Sequence, residues 1–412
     1  MKKLFFFSVT LFSILTLTLT TSCSSDENGG GNEEGRKWIS LEINEQQAAN
    51  ATNEFGFDLF SHIVSSSDAD ENVIVSPVSA SIALSMLSNG CNEKLAAQIA
   101  EVLGCDDTAA LNSLSAKYFA ELPQVDPSAT VNFANSVWYS ERFTLTQSFL
   151  DAVQSYYTPD IFVCDFADNT DGVQQDINKW VSDKTKGVIK SFELPLDSLT
   201  TSVFANTLYF KGFWSRKFNK ADTKTEEFFG TNSTVYVPMM HKTLRAKYAV
   251  DERYAMARLD FGKGAYRVTF VLPNEGVSTE ELLESGEFKF EYLDMVYTSN
   301  ITFSMPRFKI DNQAIRNMTG DLVKMGLTTL DEYLPLVMFN EYITSKYKVY
   351  QKCAVEFNED GGEAVAATFV QGMTTSPGPS PSAVMNLNRP FLFYITEGST
   401  GAILFAGRVA QL

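Results

Sequence analysis

The chain contains few residues that could perform catalysis. Its two histidines, His62 and His241, are the side chains best suited to proton transfer near neutral pH, and neither neighbours a nucleophile motif. The sequence has no Gly-x-Ser-x-Gly, His-Glu-x-x-His, Gly-x-x-x-x-Gly-Lys or Gly-x-Gly-x-x-Gly pattern. The neighbouring acids Asp106–Asp107 and Glu359–Asp360 point in different directions in a helix or a strand. The sequence therefore predicts a protein that is not an enzyme and needs no cofactor.

A different chemistry is indicated by the segment from Glu359 to Thr368, which combines acids, glycines and alanines. Alternate positions from Gly362 onwards, continued two residues past the segment, are small and mostly apolar: Gly362, Ala364, Ala366, Thr368 and Val370. Because side chains alternate between the two faces of a strand, this set could enter a packed sheet. Proline is absent from Glu359 to Ser376 and frequent from Ser376 to Pro381, so only the first part could become a central strand. An ordinary linker of small residues would have the same composition.

Five cysteines occur at irregular spacing. None forms the Cys-x-x-Cys pair typical of a zinc site, so the sequence predicts no metal. Cys91 and Cys105 could pair in an oxidising compartment, and the sequence leaves that open.

The elements that must position the segment alternate between helix and strand. Apolar residues from Ala48 to Ile63 recur at helical intervals, and Ser76 followed by Pro77 predicts the start of a second helix. The run from Ser202 to Phe213 is almost continuously apolar or small, as in a strand covered on both faces. Helices dominate the first half and strands the second, which predicts an α+β fold.

The N-terminus has the features of an export signal and an anchor. Lys2 and Lys3 precede an apolar run that is too short to span a bilayer, and small residues then precede Cys23. We interpret residues 1–22 as a signal peptide, 23–44 as a flexible tether lipidated at Cys23, and 45–412 as one folded domain. The predicted location is the periplasmic face or the outer surface of a bacterial membrane, with the lipid as the membrane contact.

The composition limits the partners. Hydrophobic residues make up 44% of the chain, which is enough for a large core, and the net charge is −17. Nucleic acid and heparin-like polyanions are therefore not expected as partners, and we expect a monomer.

Several motifs resemble the serpin family in order across residues 45–412. They are Asn72–Ser79, Ile177–Val181, Asn206–Trp214, Glu359–Thr368, Asn388–Phe393 and Leu404–Val409. The resemblance implies three β-sheets, eight or nine helices and an exposed reactive-centre loop. It also implies inhibition by a suicide mechanism, in which a protease cleaves the loop, stays bound as a covalent acyl-enzyme and is carried along when the loop inserts into the largest sheet. The alternative within this family is a non-inhibitory member that binds a partner or is simply cleaved.

The resemblance also implies roles for individual residues. The hinge of the loop comprises Glu359, Gly361, Gly362, Glu363, Ala364, Val365, Ala366, Ala367 and Thr368. A polar network at the centre of the sheet comprises Ser76, Asn206 and Gln351. Gln351 stands where many serpins have histidine, and Gly362 stands where they have Ser or Thr, so the network and the first inserting position must differ from the usual pattern.

The family's loop spacing places the reactive bond at Thr375–Ser376, with Met373–Thr374 and Thr374–Thr375 as alternatives. No Lys or Arg occurs between Cys353 and Asn388, so trypsin-like enzymes are not expected targets. Small and medium side chains at these positions favour an elastase-like or subtilisin-like serine protease.

Overall fold

The computed structural model describes residues 35–286, 288, 296–311, 315–362 and 383–412. This part of the chain contains eight α-helices and three short 3-10 helices, Leu122–Gln124, Lys220–Asp222 and Thr328–Asp331. The α-helices are α1 (Ile43–Ser66), α2 (Pro77–Ser88), α3 (Glu93–Val102), α4 (Thr108–Glu121), α5 (Gln147–Tyr156), α6 (Thr170–Lys184), α7 (Thr279–Glu284) and α8 (Thr319–Lys324). No helix among the described residues is both long and apolar enough to cross a bilayer.

The described chain contacts the folded domain before residue 45. Ile39 is buried in the core, and its backbone N–H donates to Ser399 Oγ at 3.1 Å. The N–H of Lys37 donates to the carbonyl of Val125 at 2.9 Å. Lys37 and Ile39 therefore already contact the folded domain, ahead of the predicted boundary at residue 45. Ile39 is a single apolar side chain in a polar stretch, and composition alone does not distinguish such a contact from a linker.

One sheet has nine strands. They are β1 (Val73–Val75), β5 (Lys224–Phe229), β6 (Thr234–Val250), β7 (Tyr254–Phe261), β8 (Tyr266–Pro273), β9 (Val296–Pro306), β17 (Ala383–Asn386), β18 (Phe391–Glu397) and β19 (Ile403–Val409). The 17-residue strand β6 pairs with β5 over its first half and with β7 at its end. The pairing of β6 with β9 shifts register between Leu244 and Ala246, between the part of β6 that pairs with β5 and the part that pairs with β7.

The second sheet has six strands in the order β10-β15-β16-β4-β2-β3. They are β2 (Ala129–Ser140), β3 (Asp160–Cys164), β4 (Ser202–Phe213), β10 (Phe308–Asp311), β15 (Ala354–Asn358) and β16 (Gly361–Gly362). Four two-residue strands form two further pairs: β11 (Arg316–Asn317) with β14 (Tyr350–Gln351), and β12 (Leu334–Pro335) with β13 (Thr344–Ser345). The structure thus confirms the α+β class and the expected number of helices.

Strand β4 is covered on both faces, as its continuous apolar run predicts. Phe204, Leu208 and Phe210 pack into the main core, and the ring of Phe204 lies 6.1 Å from that of Phe149. Val203 and Ala205 point the other way and pack in the cluster beneath α6. Even-numbered residues of β4 therefore face the main core, and odd-numbered ones face α6.

Cys91, Cys105, Cys164 and Cys353 are all free thiols, so Cys91 and Cys105 do not pair in this structure. Burial raises the pKa of the Cys91 thiol to about 12 and that of Cys353 to about 12. These thiols behave as small apolar groups, as expected of unpaired buried cysteines.

Candidate functional site

The candidate site is the place where β16 enters the six-stranded sheet between β15 and β4. β16 is antiparallel to both neighbours. Gly361 lies opposite Asn358 on one side and Phe213 on the other, and Gly362 lies opposite Phe357 and Gly212. A tight turn at residues 359–360 brings the chain back from β15 to form this short strand. Two residues of the predicted hinge, Gly361 and Gly362, therefore already lie between β15 and β4 at one end of the sheet.

Past Gly362, a cleft of about 430 Å³ runs between β4 and β15. Its walls are Leu208, Tyr209 and Phe210 of β4, Ala354, Val355 and Glu356 of β15, and residues of the segment that connects α6 to β4. Gly362 lies at one end of the cleft. Two strands that would otherwise be neighbours are thus separated along a path that starts at the hinge.

Gly361 is required by the close approach of β16 to β4. Its φ of +148° lies in a region that residues with a side chain rarely adopt. A Cβ at this position would lie 2.1 Å from the carbonyl oxygen of Gly212 and 2.7 Å from Cα of Phe213. A side chain here would push β16 away from β4 and close the entrance.

The two hinge acids are held by cations on the surrounding elements. Glu359, whose side chain is almost fully buried, accepts hydrogen bonds from Thr223 Oγ1 at 2.8 Å and from Arg307 Nη2. Burial alone would raise the pKa of Glu359, but the hydrogen bonds from Arg307 and Thr223 outweigh it and hold the pKa below its usual value.

Asp360 is held in the same way. Its carboxylate contacts Lys217 Nζ at 2.9 Å and Lys220 Nζ at 3.2 Å. The hydrogen bond from Lys217 is the main cause that lowers the pKa of Asp360, with burial opposing it. Both acids are therefore ionised at neutral pH, and they fix the turn from which β16 starts.

Trp214 closes the site from the end of β4. Its indole Nε1 donates to the carbonyl of Asn358 at 2.8 Å, and its backbone N–H donates to the carbonyl of Asp360 at 3.0 Å. Its ring stacks on Phe261, with the two centroids 4.7 Å apart. Trp214 therefore binds backbone carbonyls on both sides of the turn.

The residues of the predicted polar network form two separate contacts, one with the N-cap of helix α2 and one within the helix. Gln351 forms a closed pair with the backbone of Ser76, because its Oε1 accepts from the Ser76 N–H and its Nε2 donates to the Ser76 carbonyl, each at 2.9 Å. Asn206 instead accepts from the hydroxyl of Ser79 and donates to Asn135 Oδ1 at 2.7 Å. Ser76 is the N-cap of α2, but its hydroxyl makes no capping bond and is buried without a hydrogen-bond partner among the described residues.

Part of the predicted site lies outside the described residues. This holds for the hinge positions Glu363, Ala364, Val365, Ala366, Ala367 and Thr368, for the reactive-bond candidates Met373, Thr374, Thr375 and Ser376, and for Cys23. Within the described part, the structure places Glu359, Gly361 and Gly362 together at the entrance of the sheet, and Ser76 next to Gln351.

Sequence reasoning missed the residues that restrain the hinge. Arg307, Thr223, Lys217 and Lys220 carry no motif, and each is more than 50 positions from the acid that it contacts. Ser79 had a weak signal, because it is one helical turn after Ser76 on α2 and belongs to the same motif.

The comparisons with known proteins agree with this geometry. The family model described as Serpin (serine protease inhibitor) matches residues 50–412. Human Serpin I2 is 30% identical over 88% of this chain and 91% of its own length, and Iripin-3 of Ixodes ricinus is 31% identical over 88% and 94%. The solved structure of the thermophilic serpin tengpin in its native state is 27% identical, with a TM-score of 0.79, over 91% of this chain and 96% of tengpin. The chain therefore belongs to the serpin family.

Proposed function

We propose that this serpin inhibits proteases by cleavage of its loop followed by insertion of the cleaved segment between β4 and β15. The observation that carries the proposal is the short strand β16, which is already paired on both sides at the start of an open cleft. A cleaved segment would need to continue only in the direction in which Gly361 and Gly362 already run.

The register of β16 specifies which residues would face the core. If the pairing continued without a shift, residue 364 would lie opposite Phe210 and Val355, and residue 366 opposite Leu208 and Cys353. Directly opposed residues share a face of the sheet, and even-numbered residues of β4 face the core. The small residues Ala364 and Ala366 would therefore be buried, whereas Glu363 would face the other side, opposite Lys211.

The same register would bring Thr368 between Asn206 and Gln351. A threonine hydroxyl both donates and accepts, so it could join the two polar groups that the structure holds apart. The buried hydroxyl of Ser76, which contacts no partner among the described residues, is adjacent to the Gln351 pair and would be a further candidate. Insertion would therefore improve polar pairing at the centre of the sheet as well as bury alanine side chains.

We expect the inserted strand to be long enough to displace a protease. About 14 residues separate Gly362 from Thr375, and at roughly 3.3 Å per residue they would extend about 46 Å. This length favours Thr375–Ser376 as the reactive bond over any site near Phe369.

A protease panel tests both the mechanism and the target class. Elastase and subtilisin should form adducts that survive a denaturing gel, with a new N-terminus at residues 374–376, because the candidate positions are small or medium in size. Trypsin should form none, since no Lys or Arg occurs between Cys353 and Asn388. A stable trypsin adduct would refute the assignment of the reactive bond, and cleavage by every enzyme without any adduct would indicate a non-inhibitory serpin.

We further propose that Cys23 is lipidated and anchors the inhibitor to a bacterial membrane through the residues that precede the ordered domain. The support is the order of charged, apolar and small residues before Cys23. Cys23→Ala should move the protein from the membrane fraction to the soluble fraction while adduct formation stays unchanged, because the cleft is remote from residue 23 in sequence. Unchanged fractionation of Cys23→Ala would rule out this anchor.

A further inference from the structure

A group of cations lies on one face of the nine-stranded sheet, away from the cleft. Lys247 of β6 lies directly opposite Arg258 of β7, and Asp260 of β7 lies directly opposite Arg267 of β8. Because opposed residues share a face and alternate residues of one strand do too, all four side chains project from the same side. Like charges placed directly opposite each other destabilise a sheet, so the Lys247 and Arg258 pair has an energetic cost.

Arg36, near the first of the described residues, adds another cation. Its guanidinium carbon lies 4.0 Å from the ring centroid of Trp38, which is 63% exposed. Arg36 Nη1 would lie 3.6 Å from a Cβ at Gly264, so the side chain extends over the turn that joins β7 to β8. Stacking on an indole holds the planar guanidinium in a fixed orientation. The guanidinium of Arg36 is therefore held in a fixed orientation at the edge of the cation group.

The partly buried carboxylate of Asp260 lies among these cations, and Arg258, Arg267, Arg36 and Lys247 all lower its pKa against the larger effect of burial. Asp260 is the cross-strand partner of Arg267. Glu397 is already used within its own loop, where its two oxygens accept four hydrogen bonds from the backbone and hydroxyl groups of Ser399 and Thr400. A local excess of positive charge on a chain with a net charge of −17 requires an explanation.

Two guanidinium nitrogens in this group lack a partner. Arg36 Nε and Arg267 Nε are both buried and have no hydrogen-bond partner within the described ranges. Arg267 does donate from Nη2 to the carbonyl of Gly398, so its side chain is held in place while Nε stays unsatisfied. A buried donor without an acceptor is costly, and a charged donor more so. Each of these two donors therefore lacks the acceptor that its charge favours.

The electrostatics agree with this geometry. Burial, followed by repulsion from Arg258, lowers the pKa of Arg267 to about 10. Burial together with Arg258 and Arg267 also lowers the pKa of Lys247. A bound anion would relieve both effects by giving the crowded cations a common counter-ion.

We propose that Arg36 and Arg267, with Lys247 and Arg258 beside them, form a binding site for an oxyanion of the phosphate class. Arginine pairs with tetrahedral oxyanions through charge-assisted hydrogen bonds, which are the bonds that the two free Nε groups could make. Two sources of this chemistry exist, a free phosphate and the phosphate of a lipid headgroup. The site does not depend on protease inhibition.

Titration of the full-length Cys23→Ala chain tests the site without interference from a lipid. One arm measures binding of inorganic phosphate by calorimetry, and the other measures co-sedimentation with phosphatidylglycerol vesicles, with phosphatidylcholine vesicles as the neutral comparison. Arg267→Gln and Arg36→Gln should each weaken binding by about tenfold, the effect of losing a hydrogen bond to a charged group. Lys179→Gln makes the same change in net charge at an exposed position outside the group and should leave binding unchanged.

The outcomes separate the two sources. Binding of inorganic phosphate that both arginine variants weaken supports a site for the free anion. Binding to anionic vesicles alone, with the same sensitivity, supports a headgroup site. The proposal is overturned if neither ligand binds, or if either folded arginine variant binds as well as Lys179→Gln does. Arg36 lies outside the helices and strands, so its variant keeps the test decisive even if Arg267→Gln fails to fold.

Discussion

Cleavage of the loop should raise the thermal midpoint of this protein by roughly 10 °C or more. In a domain of this size each kcal/mol of stabilisation shifts the midpoint by only about 1–2 °C, so a shift this large requires several kcal/mol of new interactions. Insertion would supply them by pairing the backbone of β4 and β15 along the cleft, continuing the pairing that Gly361 and Gly362 make with both strands. Differential scanning calorimetry of the intact and cleaved chains measures the shift.

The matched control for this experiment is a cleaved chain that cannot insert. Ala366→Arg, nicked at the same bond, should melt close to the intact protein, because the new side chain would have to enter the core beside Leu208. Equal midpoints for the intact and cleaved native chains would show that the cleft does not accept the loop, and the proposed mechanism would then fail.

The local elements of the sheet could be predicted from the sequence because their signals are local. The run from Ser202 to Phe213 predicts a strand buried on both faces, and β4 has those bounds. In β2, Ala129–Ser140, the apolar residues Val131, Phe133, Val137 and Tyr139 likewise recur at alternate positions. Period and apolar content are properties of a few neighbouring residues, so the sequence displays them directly.

The contacts that restrain the hinge could not be predicted because they join remote parts of the chain. Arg307 reaches Glu359 from the short connection between β9 and β10, and Lys217 reaches Asp360 from the residues after β4. The helix start at Ser76 shows the same limit. Its sequence predicts a side-chain cap, but Gln351, 275 positions away, binds the Ser76 backbone on both sides. This contact fixes the backbone of the cap residue itself, and the sequence gives no sign of it because the two residues are far apart in the chain.

The arrangement of strands around β6 has a similar origin. The serpin fold agrees with the expectation, and within it β6 is long enough to pair with β5 in one part and with β7 in another. How far a strand continues past a change of register depends on which other strands lie beside it. The folded structure alone determines that arrangement.

Ala366→Arg should abolish inhibition while leaving cleavage of the loop intact. The register of Gly361 and Gly362, continued to residue 366, places this side chain towards the core between Leu208 and Cys353, both of which are buried. An unpaired guanidinium there costs several kcal/mol at least, and each 1.4 kcal/mol added to the barrier to insertion slows it about tenfold. Hydrolysis of the acyl-enzyme would then finish before the protease is trapped.

Two control variants distinguish charge from size and from position. Ala366→Ser keeps a small side chain at the same site and should still give adduct at close to the native yield. Ser380→Arg adds the same charge beyond the proposed bond, on the part of the loop that does not insert, and should also retain the adduct with a subtilisin-like enzyme. The measurement is the ratio of covalent adduct to cleaved inhibitor on a denaturing gel, which should fall at least about tenfold for Ala366→Arg alone. A normal adduct yield for Ala366→Arg, or an equal loss in Ser380→Arg, would refute the continued register. In either case the charge at residue 366 would not decide whether the strand enters the cleft.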